Sequence, residues 1–393
     1  MIVSLRFKNF YSFQEEVTID FENPKADKKD ELYAHVAGYS LSKALMVVGA
    51  NASGKSNVLR AFAFLLNFIS NSFSEKPDTP LTFKPYFSNI QNTPTEFTLK
   101  FLLDKTLYRY ELKVIQTHVL EECLYAYSEN SQKPNYLFKR KYDELKNAYN
   151  YKDKGFKFDK KLALQTRKNA SIISTAKQYD IELARKIYVA IGMIIFSNIN
   201  SDGTSFEFDL YKVSELFHKQ KEHFEKVKNI LKHVDLGLSD VEIISNVNAE
   251  GKETYFPIGI HQIGDKIEKL PFIFESKGTQ TLYCKLFQII CLLEIGGLIV
   301  MDELDTELHI DMLDHILRLF LSEKTNPHHA QIIFTSHILE PMNILDKHQI
   351  VLTEKNHNAS EAFNIAEIEG LRSDENIYKR YKAGAYGAVP KID

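Results

Sequence analysis

Short apolar runs, far apart in the chain, end abruptly in chemically loaded residues. Ala44-Leu45-Met46-Val47-Val48 predicts a buried strand, and a polar stretch from Gly49 to Ser56 follows it. From Ser56 to Ile69, the residues Val58, Leu59, Phe62, Leu65, Leu66 and Ile69 recur at helical spacing. The pattern is therefore strand, loop, helix. Downstream, Gly297-Leu298-Ile299-Val300-Met301 predicts a strand ending at Asp302 and Glu303, with a helix predicted from Leu308 to Phe320. Leu282, Leu286, Ile289, Ile290 and Leu293 give the helix before it an apolar face, and Gln331 to Thr335 predicts a further strand ending near His337. Glu96 to Leu103 and Leu107 to Val114 alternate or run apolar around Asp104-Lys105, the signature of a hairpin. Asp180 to Val234 reads as helical, first through Ile181, Leu183, Ile187, Ile191 and Ile194, then from Leu210. It holds no sustained heptads, so no long coiled-coil arm is expected.

Gly49-Ala50-Asn51-Ala52-Ser53-Gly54-Lys55-Ser56 satisfies every fixed position of the phosphate-binding loop G-x-x-x-x-G-K-[ST], and it does so between a strand and a helix, the context the motif requires. The glycines let the backbone turn its N–H groups around a polyphosphate, and the helix N-terminus adds its positive dipole end. Lys55 is suited to the β- and γ-phosphates, and the Ser56 hydroxyl to Mg²⁺. At the end of a buried strand beside such a loop, Asp302 would hold Mg²⁺ and Glu303 would polarise the attacking water. The alternative is that both acids cap the following helix.

Glu275-Ser276-Lys277-Gly278-Thr279-Gln280 opens the helix before Asp302. A serine hydroxyl and a glycine N–H at a helix start suit an anion, although simple N-capping by Ser276 explains the same residues. His337, at the tip of its strand, is placed to sense a γ-phosphate, or else to cap a helix.

Composition narrows the class. The chain has 393 residues, 44% of them hydrophobic, enough for one large core or two smaller ones. Its net charge of −3 gives no global attraction to nucleic acid. Cys123, Cys284 and Cys291 form no closed set of pairs and no metal spacing, which suits a reducing cytoplasm. The alternating opening Met1 to Phe7 lacks a signal-peptide core, and no apolar run approaches a membrane span. One segment departs from the average: residues 133–168 hold twelve Lys/Arg against four Asp/Glu, interleaved with Tyr136, Phe138, Tyr142, Tyr149, Tyr151, Phe156 and Phe158. Cations mixed with aromatics suit nucleic acid, by phosphate contact and base stacking. A solvated charged face is the alternative.

The order Gly49 to Ser56, Ser276-x-Gly278, Asp302-Glu303, Asp305, His337 resembles an ABC-type ATPase, as Walker A, signature, Walker B, D-loop and switch histidine. The chain is similar to the compact bacterial AAA-type ATP-binding proteins of the ABC/SMC superfamily, among them the ATPase parts of overcoming-lysogenisation-defect proteins and of anti-phage abortive-infection systems. Phe7-Lys8-Asn9-Phe10-Tyr11-Ser12-Phe13 resembles their N-terminal strand, and Tyr381 with Tyr386-Gly387-Ala388-Val389-Pro390 the close of the smaller members. Coverage is poorest between about Gln116 and Asn246. Lys277 stands where transporter signatures carry their first glycine, and Thr279 follows the second, so only Ser276 and Gly278 carry over. Neither Gln91 nor Gln116 has the neighbourhood of a Q-loop glutamine.

The resemblance implies an α/β fold, an ABC-type P-loop core with a mixed sheet, helices and an antiparallel β lobe, interrupted by a basic and helical insertion. The expected blocks are 1–115, with Walker A; 116–245, the insertion; and 246–393, with the remaining motifs. ATP would be bound by Gly49, Asn51, Ala52, Ser53, Gly54, Lys55, Ser56 and Asn57, with Ser276, Gly278 and Asp305 contributing. Glu303, His337 and Lys55 would be catalytic, and Ser56 and Asp302 would hold Mg²⁺. The family pairs the Walker A face of one subunit with the signature of another, which implies a head-to-tail homodimer, or a higher assembly, switched by the γ-phosphate. The expected role is a cytoplasmic anti-phage defence ATPase acting with a separate effector, since no nuclease pattern is present. A RecF-like repair clamp on DNA and a scaffold that binds ATP with negligible turnover are the alternatives.

Overall fold

The computed structural model describes residues 1–27, 30–86, 93–128, 133–192, 196–199, 209–234, 237–247, 251, 253–371 and 376–387. Gln91, Ile194 and Ala388-Val389-Pro390, named above, lie outside the described residues.

The chain opens with the antiparallel pair β1 (Ile2–Lys8) and β2 (Val17–Asp20), then a hairpin of β3 (Tyr33–Val36) and β4 (Tyr39–Ser42). Next, β5 (Ala44–Gly49) leads through residues 50–54 into α1 (Lys55–Asn71), the strand and helix expected from the apolar pattern. An antiparallel succession follows: β6 (Thr95–Leu103), β7 (Thr106–Ile115), β8 (His118–Ala126), β9 (Asn135–Asp143) and β10 (Ala148–Asp153). The β6–β7 hairpin turns at Asp104 and Lys105, both at positive φ (49° and 63°), which matches the twist of the strands they join. Short helices α2 (Lys160–Gln165), α3 (Ile172–Lys177) and α4 (Glu182–Ile187) precede β11 (Phe196–Ser197), α5 (Leu210–Lys219) and α6 (Lys221–Val234). A three-stranded sheet of β12 (Asp240–Val247), β13 (Glu253–Ile263) and β14 (Lys266–Pro271) leads to α7 (Lys277–Ile295). The chain continues through β15 (Leu298–Met301), α8 (Ile310–Leu321), β16 (Gln331–Thr335), β17 (Ile350–Asn356), β18 (Ala359–Asn364) and α9 (Ile377–Lys382).

Two large sheets organise these elements. One is antiparallel, in the order β10-β9-β8-β7-β6-β1-β2; the other runs β11-β15-β16-β5-β17-β18 and is parallel except for β18. Alternation along β5 explains the layering: Leu45 and Val47 face a core shared with α1 and the antiparallel sheet, whereas Ala44, Met46 and Val48 face a second core with α7 and α8. A parallel strand covered on both faces must be apolar throughout, which is why this one reads as an unbroken run. The fold is thus the expected α/β core with an antiparallel lobe, and α1 lies between the two sheets.

The expected block boundaries fall inside structural elements. The division at 115/116 lies in the β7–β8 hairpin, so residues 118–153 complete the antiparallel sheet begun by β1 and β6 instead of interrupting the core. The division at 245/246 cuts β12. Between them, β11 pairs with β15, and α6 packs on α7.

A fully buried ion pair links the lobe to α1. Glu122 accepts hydrogen bonds from Tyr110 (2.9 Å), the Ser171 hydroxyl (2.7 Å) and the Ile172 N–H (3.0 Å). Arg140 lies 3.6 Å from Glu122 and donates to the carbonyls of Ala170, Thr166 and Arg167. Burial pushes the Glu122 carboxyl above its ordinary range, and the Arg140 guanidinium opposes that shift. The segment so fixed grips the far end of α1: Ser174 donates to the Ser70 carbonyl and accepts the Phe73 N–H. Among the described residues, no helix is long and apolar enough to cross a membrane, and all three cysteines are free.

Candidate nucleotide site

The expected phosphate loop, carboxylates and histidine meet at one edge of the parallel sheet. Because β15, β16 and β5 are adjacent and parallel, their C-terminal ends emerge together, and ligands of open α/β sheets bind outside such ends. Met301 pairs with Phe334, and Thr335 with Val47. Thr335 therefore stands between the Asp302 strand and the loop strand.

Residues 50–54 wrap tightly. Ala52 is left-handed (φ 63°), and the Ser53 hydroxyl bonds that of Thr353 at 2.6 Å, tying the loop to β17. A Cβ at Gly49 would collide with the carbonyl of Thr353, and one at Gly54 (φ 117°) with the side chain of Ser360. Both glycines are thus required by close approach. Asn57 donates to the Ser12 hydroxyl at 2.8 Å, and Ser12 also meets Ser360 at 2.7 Å, so the opening segment buttresses the first turn of α1. No side chain caps that turn, and among the described residues the N–H groups of Gly54, Lys55 and Ser56 donate to no backbone carbonyl. Such a row of unpaired donors fits a polyanion.

Lys55 folds back to donate to the carbonyls of Gly49 and Ala50, each at 2.9 Å. Burial lowers its pKa, and the charges of Asp302 and Glu303 act in the opposite direction, which places both acids within electrostatic reach of the ammonium.

The carboxylates are held from several sides. Thr335 donates to Oδ1 of Asp302 at 2.7 Å, and its Oγ1 accepts the Glu303 N–H at 2.7 Å. Asn198 clamps the Asp302 main chain, accepting its N–H and donating to its carbonyl, both at 2.7 Å. Glu303 is left-handed (φ 48°), and its Oε1 lies 3.6 Å from Nε2 of His337, with both side chains more than half exposed. The Asp305 carboxylate accepts the His337 N–H at 3.2 and 3.1 Å, so in this chain its bonds position the histidine loop.

Ser276 and Gly278 stand apart from this cluster. Ser276 is the N-cap of α7, accepting the Thr279 N–H at 3.1 Å, so the capping role that the sequence left open is realised. A Cβ at Gly278 would approach the Glu307 carbonyl to 2.7 Å, which lets the start of α7 lie against the loop after the carboxylates. Ser276 and Lys277 are exposed. Gln116 uses its side chain on the Phe83 carbonyl.

Sequence reasoning missed Thr335 and Asn198. Their role lies in hydrogen bonds across strands, which no local pattern carries. Arg140 needs correction as a member of the basic segment 133–168: it is fully buried and bonded to carbonyls, so it offers no charge to solvent. Lys141 is paired with Glu121 at 2.5 Å.

Solved structures to which the chain is similar include the SMC head domain from Thermotoga maritima, 13% identical, covering 92% of this chain and 98% of that chain with a TM-score of 0.43. An Smc head bound to the C-winged helix domain of ScpA is 16% identical, covers 92% of this chain and 96% of that chain, and has a TM-score of 0.45. An Smc head with an extended coiled coil bound to the C-terminal domain of ScpA, from Pyrococcus furiosus, is 14% identical, covers 93% of this chain and 97% of that chain, and has a TM-score of 0.44. Curated proteins provide no match. Residues 45–342, from the loop strand past His337, match the family described as "AAA domain, putative AbiEii toxin, Type IV TA system", and the chain belongs to that family.

Proposed function

We propose that the protein is an Mg²⁺-dependent ATPase whose nucleotide state switches a head-to-tail homodimer. The observation that carries the reading is the convergence on Lys55: a half-buried ammonium under the influence of Asp302 and Glu303, beside unpaired backbone N–H groups at the start of α1. A triphosphate entering the loop would replace the carbonyls of Gly49 and Ala50 as partners of Lys55 with charged oxygens, which make stronger bonds. Asp302 and the Ser56 hydroxyl supply the hard oxygen ligands that suit Mg²⁺, and the ion would neutralise charge developing on the phosphates. Glu303 would take a proton from the attacking water, and His337, 3.6 Å from it, would meet the γ-phosphate.

Ser276 and Gly278, exposed or partly exposed at the start of α7 where Gly278 lies close to the Glu307 carbonyl, would bind the γ-phosphate held by a partner subunit. Hydrolysis would then remove the group bridging the two chains. Membership of an AbiEii-described family supports a role in anti-phage defence, and the proposal adds a cytoplasmic setting and a separate effector. A RecF-like clamp shares the nucleotide chemistry and differs in acting on DNA, a reading favoured by the cationic sheet face described below. The test is ATP binding by calorimetry together with phosphate release and oligomeric state, each with and without Mg²⁺. A wild-type protein that neither binds nor hydrolyses ATP would sink the reading.

A further inference from the structure

The antiparallel sheet buries one face and leaves the other to solvent. On β9 and β10 the buried positions are Phe138, Arg140 and Tyr151, and the residues alternating with them, Lys139, Lys141 and Lys152, point outward. Register then builds two adjoining rows. Lys100, Arg109, Tyr125 and Tyr136 lie opposite one another across β6 to β9; Thr98, Glu111, Cys123, Lys139 and Lys152 do so across β6 to β10. Lys139 is 5.3 Å from the ring centroid of Tyr125 and 5.1 Å from that of Tyr136. Arg109 flanks Tyr125 at 4.4 Å, and Lys154 flanks Tyr136 at 5.6 Å.

Folding alone does not favour this arrangement. Lys139 directly faces Lys152, and Lys100 faces Arg109; like charges opposite one another destabilise a sheet. Among the described residues, Lys139, Lys152 and Lys154 pair with no carboxylate, while the rest of the chain brings the net charge to −3.

We propose that this face, centred on Tyr125, Tyr136, Lys139, Lys152 and Lys154, binds single-stranded nucleic acid. Neighbouring tyrosines offer successive stacking platforms, and Lys139, Lys152 and Lys154 around them meet the phosphates between the stacked bases. A duplex keeps its bases stacked on each other and would use the cations alone. The surface spans strands on both sides of the 115/116 division; Arg109 lies on it, paired with Glu111 at 3.0 Å, and Arg140 does not.

The test is fluorescence anisotropy of the full chain with labelled oligo(dU), oligo(rU) and the matching duplex, over a salt series. Single strands should bind more tightly than duplex, with the ratio of oligo(dU) to oligo(rU) naming the sugar preferred. Combining Lys139→Ala, Lys152→Ala and Lys154→Ala should lower the slope of log K against log salt by about two, at roughly 0.7 per phosphate contact. Tyr136→Ala should weaken binding about fivefold or more without changing that slope, and Tyr136→Phe should restore it. Thermal unfolding and ATP turnover without nucleic acid, unchanged in each variant, show that the fold and the nucleotide site are intact. Wild-type affinity and slope in the triple variant, or absence of single-strand binding by the wild type at low salt, would overturn the surface. Duplex binding as tight as single-strand binding, or an effect of charge with none of Tyr136, would overturn the stacking and hence the single-strand assignment.

Discussion

The Thr335 hydroxyl donates to Oδ1 of Asp302 at 2.7 Å while the same oxygen accepts the Glu303 N–H at 2.7 Å. One side chain thus sets the rotamer of the proposed metal ligand and holds its neighbour's backbone in the left-handed region. Thr335→Val keeps the β-branched shape but removes both bonds. The variant should need about tenfold or more Mg²⁺ for half-maximal turnover, the usual effect of losing a partner of a metal ligand. ATP binding without Mg²⁺ should be unchanged, and Thr335→Ser should recover most of the loss. A magnesium titration of phosphate release reads this directly; equal midpoints for Val and Thr would show that Asp302 needs no such support.

Glu303→Gln separates binding from chemistry. The amide preserves shape and still accepts from Thr306, whose hydroxyl lies 3.4 Å from Oε2, but it cannot take a proton. Turnover should fall by about a hundredfold or more, with ATP binding retained. Single-turnover phosphate release would check it, and a loss of only a few-fold would move the base to another group. Lys55→Ala should differ in kind. It should abolish ATP binding in calorimetry, because a methyl cannot replace the charge-assisted bonds of an ammonium.

Much of this site is legible in the sequence because its parts are local. The loop needs glycines where Gly49 approaches Thr353 and Gly54 approaches Ser360, and the spacing of the motif records both. Asp302 and Glu303 follow an apolar run because β15 is covered on both faces. What the sequence hides depends on strand order. Thr335 reaches Asp302 only because β16 lies beside β15, and Asn198 reaches it only because β11 takes the far edge of that sheet. Arg140 shows the same limit from the other side. Its neighbours Lys139 and Lys141 are outward on the strand, and period-two alternation turns Arg140 inward against Glu122. A basic segment counted along the chain overstates the charge that reaches solvent.

The Glu122–Arg140 pair yields a stability prediction. Arg140→Met leaves the Glu122 carboxylate buried without its counter-charge and frees the carbonyls of Ala170, Thr166 and Arg167. Breaking a buried pair in this way costs about 3–5 kcal/mol. Adding Glu122→Leu to Arg140→Met should recover part of the loss but not all, because Tyr110 and Ser171 then lose their acceptor. Chemical denaturation of the four members of the cycle measures the coupling. Additive losses would mean that the two residues act separately.

The trans arrangement is tested by mixing. Lys55→Ala removes the phosphate loop's ammonium, and Ser276→Ala removes the hydroxyl proposed to reach across to a partner; each homodimer should be inactive. In a mixed dimer the chain with intact Lys55 faces the chain with intact Ser276 at one site, and both lesions fall at the other. Hydrolysis should therefore reappear on mixing, with half the sites of each mixed dimer intact and hence about a quarter of the wild-type number in an equal, randomly exchanged mixture, if the two sites act independently. Because coupling between sites could suppress turnover, ATP-dependent dimerisation should be followed in the same samples. Within one chain Ser276 caps α7 and bonds Thr279, so Ser276→Ala also needs a folding control, and Ser276→Thr, which keeps a capping hydroxyl, supplies it. Confirmed subunit exchange with neither turnover nor dimerisation recovered would remove the trans clamp, and with it the closing of two chains over shared nucleotides.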